Sequence, residues 1–158
     1  MASVPPRSRR GKILVNLQRQ LETISIANGY ASDVYKVTTD VKSWQATPET
    51  ETPVIYIIDE NTDYNYHAGK TTEREWTIGI YGVMKNKEQT DMEELIADVE
   101  ECLFNNVTLS FDSIKGPISH LRILNITTDN QFFSEIEGSQ LFKMTIVFRY
   151  IACVDNIR

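Results

Sequence analysis

The chain has 158 residues, of which 41% are hydrophobic and 24% charged, with a formal net charge of −6. That is ordinary globular composition, and a domain of this length buries about 70% of its unfolded surface around one core. The negative balance argues against broad, sequence-blind binding to nucleic acid. No apolar run approaches the roughly 20 residues needed to cross a bilayer, which leaves no membrane role to assign. The opening "MASVPPRSRRGK" is positive, but an amphipathic segment follows it where a signal peptide would have an apolar stretch. The two cysteines, Cys102 and Cys153, lie far apart in apolar surroundings and read as buried free thiols in a reducing compartment. The sequons at Asn106 and Asn125 then have no glycosylation to signal.

Residues 1–11, with Arg7, Arg9 and Arg10, read as a flexible basic arm, and residues 12–158 as a single α+β domain. Ile13, Leu14, Leu17, Leu21 and Ile24 then recur at helical spacing, and Asn28-Gly29 is expected to end that first helix. "ASDVYKVTTDV" is β-branched and predicts a strand from Val34 to Val41, and "VIYIID" predicts a short one from Val54 to Asp59. "TEREWTIGIYGVM" alternates clearly. Arg74, Trp76, Ile78, Ile80, Gly82 and Met84 face one way; Glu73, Glu75, Thr77, Gly79, Tyr81 and Val83 face the other.

"TDMEELIADVEECLFNN" predicts a second helix, opened by a capping box between Thr90 and Glu93. Met92, Leu95, Ile96, Val99 and Leu103 make its apolar stripe, while Glu94, Asp98 and Glu101 read as its solvent face. "VTLSFDSI", "HLRILNITTD" and "QLFKMTIVFRYIAC" are strand candidates, the last with Phe142, Met144, Ile146, Phe148 and Tyr150 on one face. The expected fold is a mainly antiparallel sheet of five or six strands with two amphipathic helices packed on one face. Ile13, Leu17, Leu21, Trp76, Ile78, Ile80, Leu95, Val99, Ile146 and Phe148 are its predicted core. The second face carries Tyr81, Val83, Leu141, Val147 and Ile151, apolar enough to suggest a subunit interface.

Between two of these strands lies "DENTDYNYHAGKTTEREW". Asp59, Glu60, Asp63 and His67 invite a metal reading, but the flanks make the 59–70 stretch a hairpin connection, and metal ligands need rigid convergence. Tyr64, Tyr66 and His67 suit contact with a partner better, since tyrosine offers large area at low entropic cost. No phosphate-binding glycine loop and no G-x-S-x-G nucleophile elbow is present. His120 starts a strand and reads as an edge residue. No catalytic residue, cofactor or metal is expected.

Taken in order, "ILVNLQRQLETISIANGYASDVYKV", "TPVIYIID", "REWTIGIYGVM" and "MEELIADVEECL" resemble the tail terminator (tail-completion) proteins of long-tailed bacteriophages. The resemblance spans residues 9–104, with the long 59–70 connection as a local elaboration. It implies a structural virion protein with no catalytic residues, made in the host cytoplasm and placed at the head-proximal end of the tail. Its subunits would form a hexameric ring that caps the tail tube, stops its polymerisation and joins the head connector. DNA would pass through such an acidic ring without sequence-specific binding. Tyr64, Tyr66, His67, Tyr81, Val83, Arg9 and Arg10 are the candidate subunit or tube contacts. A head–tail joining or neck protein of similar shape is the alternative, and a cytoplasmic binding module a more distant one.

Overall fold

Ser8 opens the first helix: its hydroxyl accepts the amide of Gly11 at 3.0 Å, and α1 runs from Arg9 to Leu21. A computed structural model of the chain describes residues 8–40, 46–66, 71–105, 120–128 and 139–153. The helix therefore reaches back into the stretch expected to be a flexible arm. It also stops earlier than Asn28-Gly29. The Thr23 hydroxyl takes the Gln20 carbonyl at 2.6 Å and Ser25 is extended, so the helical ladder breaks at Glu22. Gly29, at φ 91°, still supplies a left-handed cap, but to a short 3-10 turn at Ile26–Asn28.

The strands are β1 (Lys36–Thr38), β2 (Val54–Tyr66), β3 (Thr71–Lys85), β4 (His120–Thr128) and β5 (Ser139–Cys153), with α2 (Gln89–Asn105) between β3 and β4. β1 starts two residues later than expected, the amide of Val34 being taken by the carbonyl of Ile24, and Val41 at the other end of the expected strand lies outside the described residues. The five-stranded sheet has the order β1-β2-β3-β5-β4. β1 lies parallel to β2 and every other pairing is antiparallel. The strand expected in "VTLSFDSI" lies outside the described residues.

Both helices pack on one face. The side chains Ile13, Leu17 and Leu21 of α1 and Leu95 and Val99 of α2 share a cluster with Trp76, Ile78, Ile80, Ile146 and Phe148, all essentially inaccessible to water. Each side chain assigned to the core by patterning is there. Among the described residues no helix is long and apolar enough to cross a membrane.

The second face is less open than its composition suggested. Val54, Tyr56 and Val83 form a separate buried cluster, flanked by Tyr81 and Leu141, and Val83 has no exposed surface at all. The segment before β2 closes over it. Thr47 is buried and shares a 2.8 Å hydrogen bond with the Tyr56 hydroxyl, and Lys85 Nζ donates to the Thr47 carbonyl. Val147 is also buried.

Two features of α2 differ from the sequence pattern. The amide of Glu88, just ahead of the helix, is taken by the Asp91 carboxylate at 2.9 Å, so the cap lies two residues before the Thr90–Glu93 box. Asp98 is not on the solvent face. It is 4% exposed and accepts the amides of Ala31 and Ser32 at 3.1 and 2.8 Å, tying the turn after α1 to the helix. Asp98→Ala strands a buried donor at Ser32 and is expected to cost about 1–3 kcal/mol in urea denaturation. Glu94→Ala, on the exposed side of the same helix, should stay within about 0.5 kcal/mol of the unaltered chain. Cys102, facing the core, is a buried thiol whose pKa is raised by burial. Its Sγ–H donates to the Gln20 carbonyl at 3.2 Å. The side chain of Cys153 lies outside the described residues.

Candidate functional site

The stretch expected to be a connection is mostly strand. β2 continues through Asp59 to Tyr66, paired with β3 as far as Tyr66 opposite Thr72. The continuation is possible because β3 is itself held along its whole length by β5, from Thr71 opposite Cys153 to Lys85 opposite Ser139. A template strand supplies backbone hydrogen bonds whatever side chains the incoming strand carries.

The register shifts between Asp59 and Asn61, leaving Glu60 as a bulge. The consequence is chemical. Asp59 pairs with Ile78 on the helix-covered face, whereas Asp63, four residues on, pairs with Glu75 on the other. In an unbroken strand the two carboxylates would share a face. With the bulge they cannot share an ion. His67 lies outside the described residues, and among those described no group of three or more His, Cys, Asp and Glu is placed to hold a metal.

Asp59 is engaged elsewhere. Its Oδ1 accepts the indole Nε1–H of Trp76 at 2.9 Å, and its Oδ2 is bonded by Arg10 Nη2. Arg10 Nη1 donates to Thr62 Oγ1 at 2.8 Å, and its guanidinium lies 4.3 Å over the Trp76 ring. A single arginine from the first turn of α1 thus grips both strands at the base of the hairpin. The adjoining cleft, about 380 Å³, is lined by Ser8, Gly11, Leu14, Thr39, Ile57 and Ile58 besides these residues.

On the second face the bulged Glu60 meets Lys143 at 2.7 Å and accepts the Tyr81 hydroxyl at 3.1 Å. The bond from Glu60 holds the Lys143 ammonium above its usual pKa, with Tyr81 adding to the effect. Gly79 leaves the room that this carboxylate fills, since a Cβ there would meet Glu60 Oε1. Farther along, Glu73 is bonded by Arg149 and is 5% exposed.

The candidate contacts are placed as follows. Tyr64 is 49% exposed, 5.1 Å under the Arg74 guanidinium. Tyr66 ends β2, and neither its side chain nor that of Arg9 is among those described. Tyr81 is partly exposed on the face where Val83 is buried. Arg10 serves the hairpin from within the subunit. The structure brings Arg10 and Tyr64 to the hairpin, and Tyr81 and Val83 together elsewhere on the sheet. The Arg10–Asp59–Trp76 assembly was not legible in the sequence: nothing in the spacing shows a bulge at Glu60, on which the placing of every later side chain depends.

No family model matches the chain, and no curated protein matches it. Among solved structures it is similar to the sheath/tube terminator of an extracellular contractile injection system, PVC, determined by cryo-electron microscopy in the extended state. The likeness is weak: 12% identity and a TM-score of 0.36, over 90% of this chain and 58% of that one.

Proposed function

We propose that the chain is a structural subunit of the tail-terminator kind, working as a ring that seats on the end of a tail tube, stops its growth and meets the head connector. The observation that carries this reading is the β2–β3 hairpin. Beyond Tyr56 no described residue pairs with the outer edge of β2, and its side chains from Asp59 to Asn65 are exposed apart from the half-buried Thr62 and the part-covered Glu60. A ladder built this far past the last buried side chain of its strand suits reaching a neighbour, and Tyr64 supplies the contact area that protein interfaces favour.

The body that bears the hairpin has the element order α1, β1, β2, β3, α2, and over these elements the sequence resembles the tail terminators of long-tailed phages. Six copies are the number that resemblance implies. Tyr81 and Arg9 remain contact candidates, while Val83, buried within the subunit, supports its own fold. The net charge of −6 repels phosphate, so DNA passes such a ring without being held. The chemistry asked of the chain is recognition between proteins, with no catalytic residue.

The decisive measurement is tail length in particles assembled without this protein. Overlong tubes, or tails lacking heads, are the expected result. Tails of normal length joined to filled heads would end the reading.

A further inference from the structure

Both margins of the sheet are left half-paired among the described residues. β2 meets β1 only from Val54 to Tyr56, so no described strand lies beside the outer edge of β2 from Ile57 to Tyr66. β4 is the other margin and, among the described strands, pairs only with β5. Such edges present rows of backbone donors and acceptors, a template for a further strand.

The two margins are also opposite in charge. β2 carries Asp59, Glu60 and Asp63 in this stretch. The first two are neutralised within the subunit by Arg10 and Lys143, but Asp63 is exposed and stands opposite another carboxylate, Glu75. β4, from His120 to Thr128, contains no acid and one full cation, the exposed Arg122.

Direction and level agree with the charges. β2 to β3, β3 to β5 and β5 to β4 are three antiparallel steps, so β2 and β4 run in opposite directions. A second copy set beside the first in the same orientation therefore brings its β4 to the first copy's β2 as an antiparallel neighbour, the more stable pairing. Across the ladder Asp63 is level with Glu75, Arg149 and His120, and Asn61 with Thr77, Val147 and Arg122. The second copy's Arg122 then comes opposite Asn61 and diagonal to Asp63, on the same face of the continued sheet. The β4 bulge between Ile123 and Asn125 bends the strand away before Thr127, which is level with Tyr56, where β1 flanks β2.

We propose that the free outer edge of β2, from Asp59 to Tyr66, takes the β4 edge of a second copy of this chain in antiparallel register, with Arg122 of that copy against Asp63. The contact uses two different surfaces of each subunit, so its repetition is head-to-tail and closes into a ring when the rotation permits. Closure rests on the function proposed above; the pairing itself does not.

The test is a variant carrying both Asn61→Cys and Arg122→Cys, at exposed positions whose change leaves the melting temperature unaltered. Oxidised at high protein concentration and on tube ends, it is expected to give a disulfide ladder from dimers up to ring size. The two single variants, which keep the native cysteines, set the background. No ladder above that background overturns the seam, as does crosslinking of the Asn61→Cys variant to a tube subunit instead. Asp63→Lys and Arg122→Glu are each expected to weaken self-association roughly three- to tenfold, and the double swap to restore it; failure to restore overturns the pairing of charges. Rings on tube ends without crosslinks sink this seam and leave the terminator reading standing. Crosslinked oligomers, together with normal tails in particles lacking the protein, keep the seam and end that reading.

Discussion

Replacing Trp76 by alanine is expected to lower the stability of the fold by about 3–5 kcal/mol, the usual cost of removing a large buried aromatic. Trp76 is 1% exposed and packs against Phe148 with ring centroids 6.3 Å apart. Its loss also removes two polar partners at the hairpin base, the donor to Asp59 and the ring beneath Arg10. Trp76→Phe keeps most of the packing and a face for the guanidinium but leaves Asp59 Oδ1 without its donor, and should cost about 1–2 kcal/mol. Urea denaturation of both variants separates packing from hydrogen bonding. A loss below about 1 kcal/mol for Trp76→Ala would show that the cluster at the hairpin base is not part of the cooperative core.

Gly82→Ala is expected to cost about 3 kcal/mol, the upper end of the range for overpacking. Gly82 sits in β3 between Ile55 and Phe142, and a Cβ there would overlap the Phe142 ring, which is itself fully buried. Neither strand can give way without disturbing the ladder from Thr71 to Lys85. At about 2–4 °C per kcal/mol for a domain of this size, the melting temperature should fall by about 6–12 °C. Gly79→Ala is the control. Its Cβ meets the far ends of the Glu60 and Tyr81 side chains, which can swing outward, so the cost should be about 1 kcal/mol or less. Phe142→Leu should recover part of the Gly82→Ala loss, whereas an unrelieved double variant would place the strain elsewhere.

Periodicity alone determined the body of this protein. The stripe of Ile13, Leu17 and Leu21, that of Leu95 and Val99, and the alternation through Trp76, Ile78 and Ile80 each state a face, because burial of apolar surface dominates the choice of orientation. From these the helix-covered sheet follows, and so does the core. What sequence could not decide were the places where a backbone group chooses between competing partners. The end of α1 depends on the Thr23 hydroxyl taking the Gln20 carbonyl, and the start of α2 on Asp91 reaching Glu88 ahead of Thr90 and Glu93. Asp98 looks like any acid on a solvated face until the turn after α1 brings two amides to it.

The hairpin is the largest such case. "ENTDYNY" is rich in residues that strands avoid, and read by itself it is a loop. Tertiary structure makes it strand because β5 holds β3 along its whole length, and β3 offers β2 a complete ladder. The bulge at Glu60 follows from that pairing and from the room above Gly79, where its carboxylate meets Lys143 and Tyr81. It moves Asp63 to the face opposite Asp59, turning an apparent metal cluster into an arginine grip on one side and, on the other, an exposed edge charge that meets no cation among the described residues. Local sequence carries the propensity of a segment, but the free energy of a strand is set by its neighbours, which only the folded chain supplies.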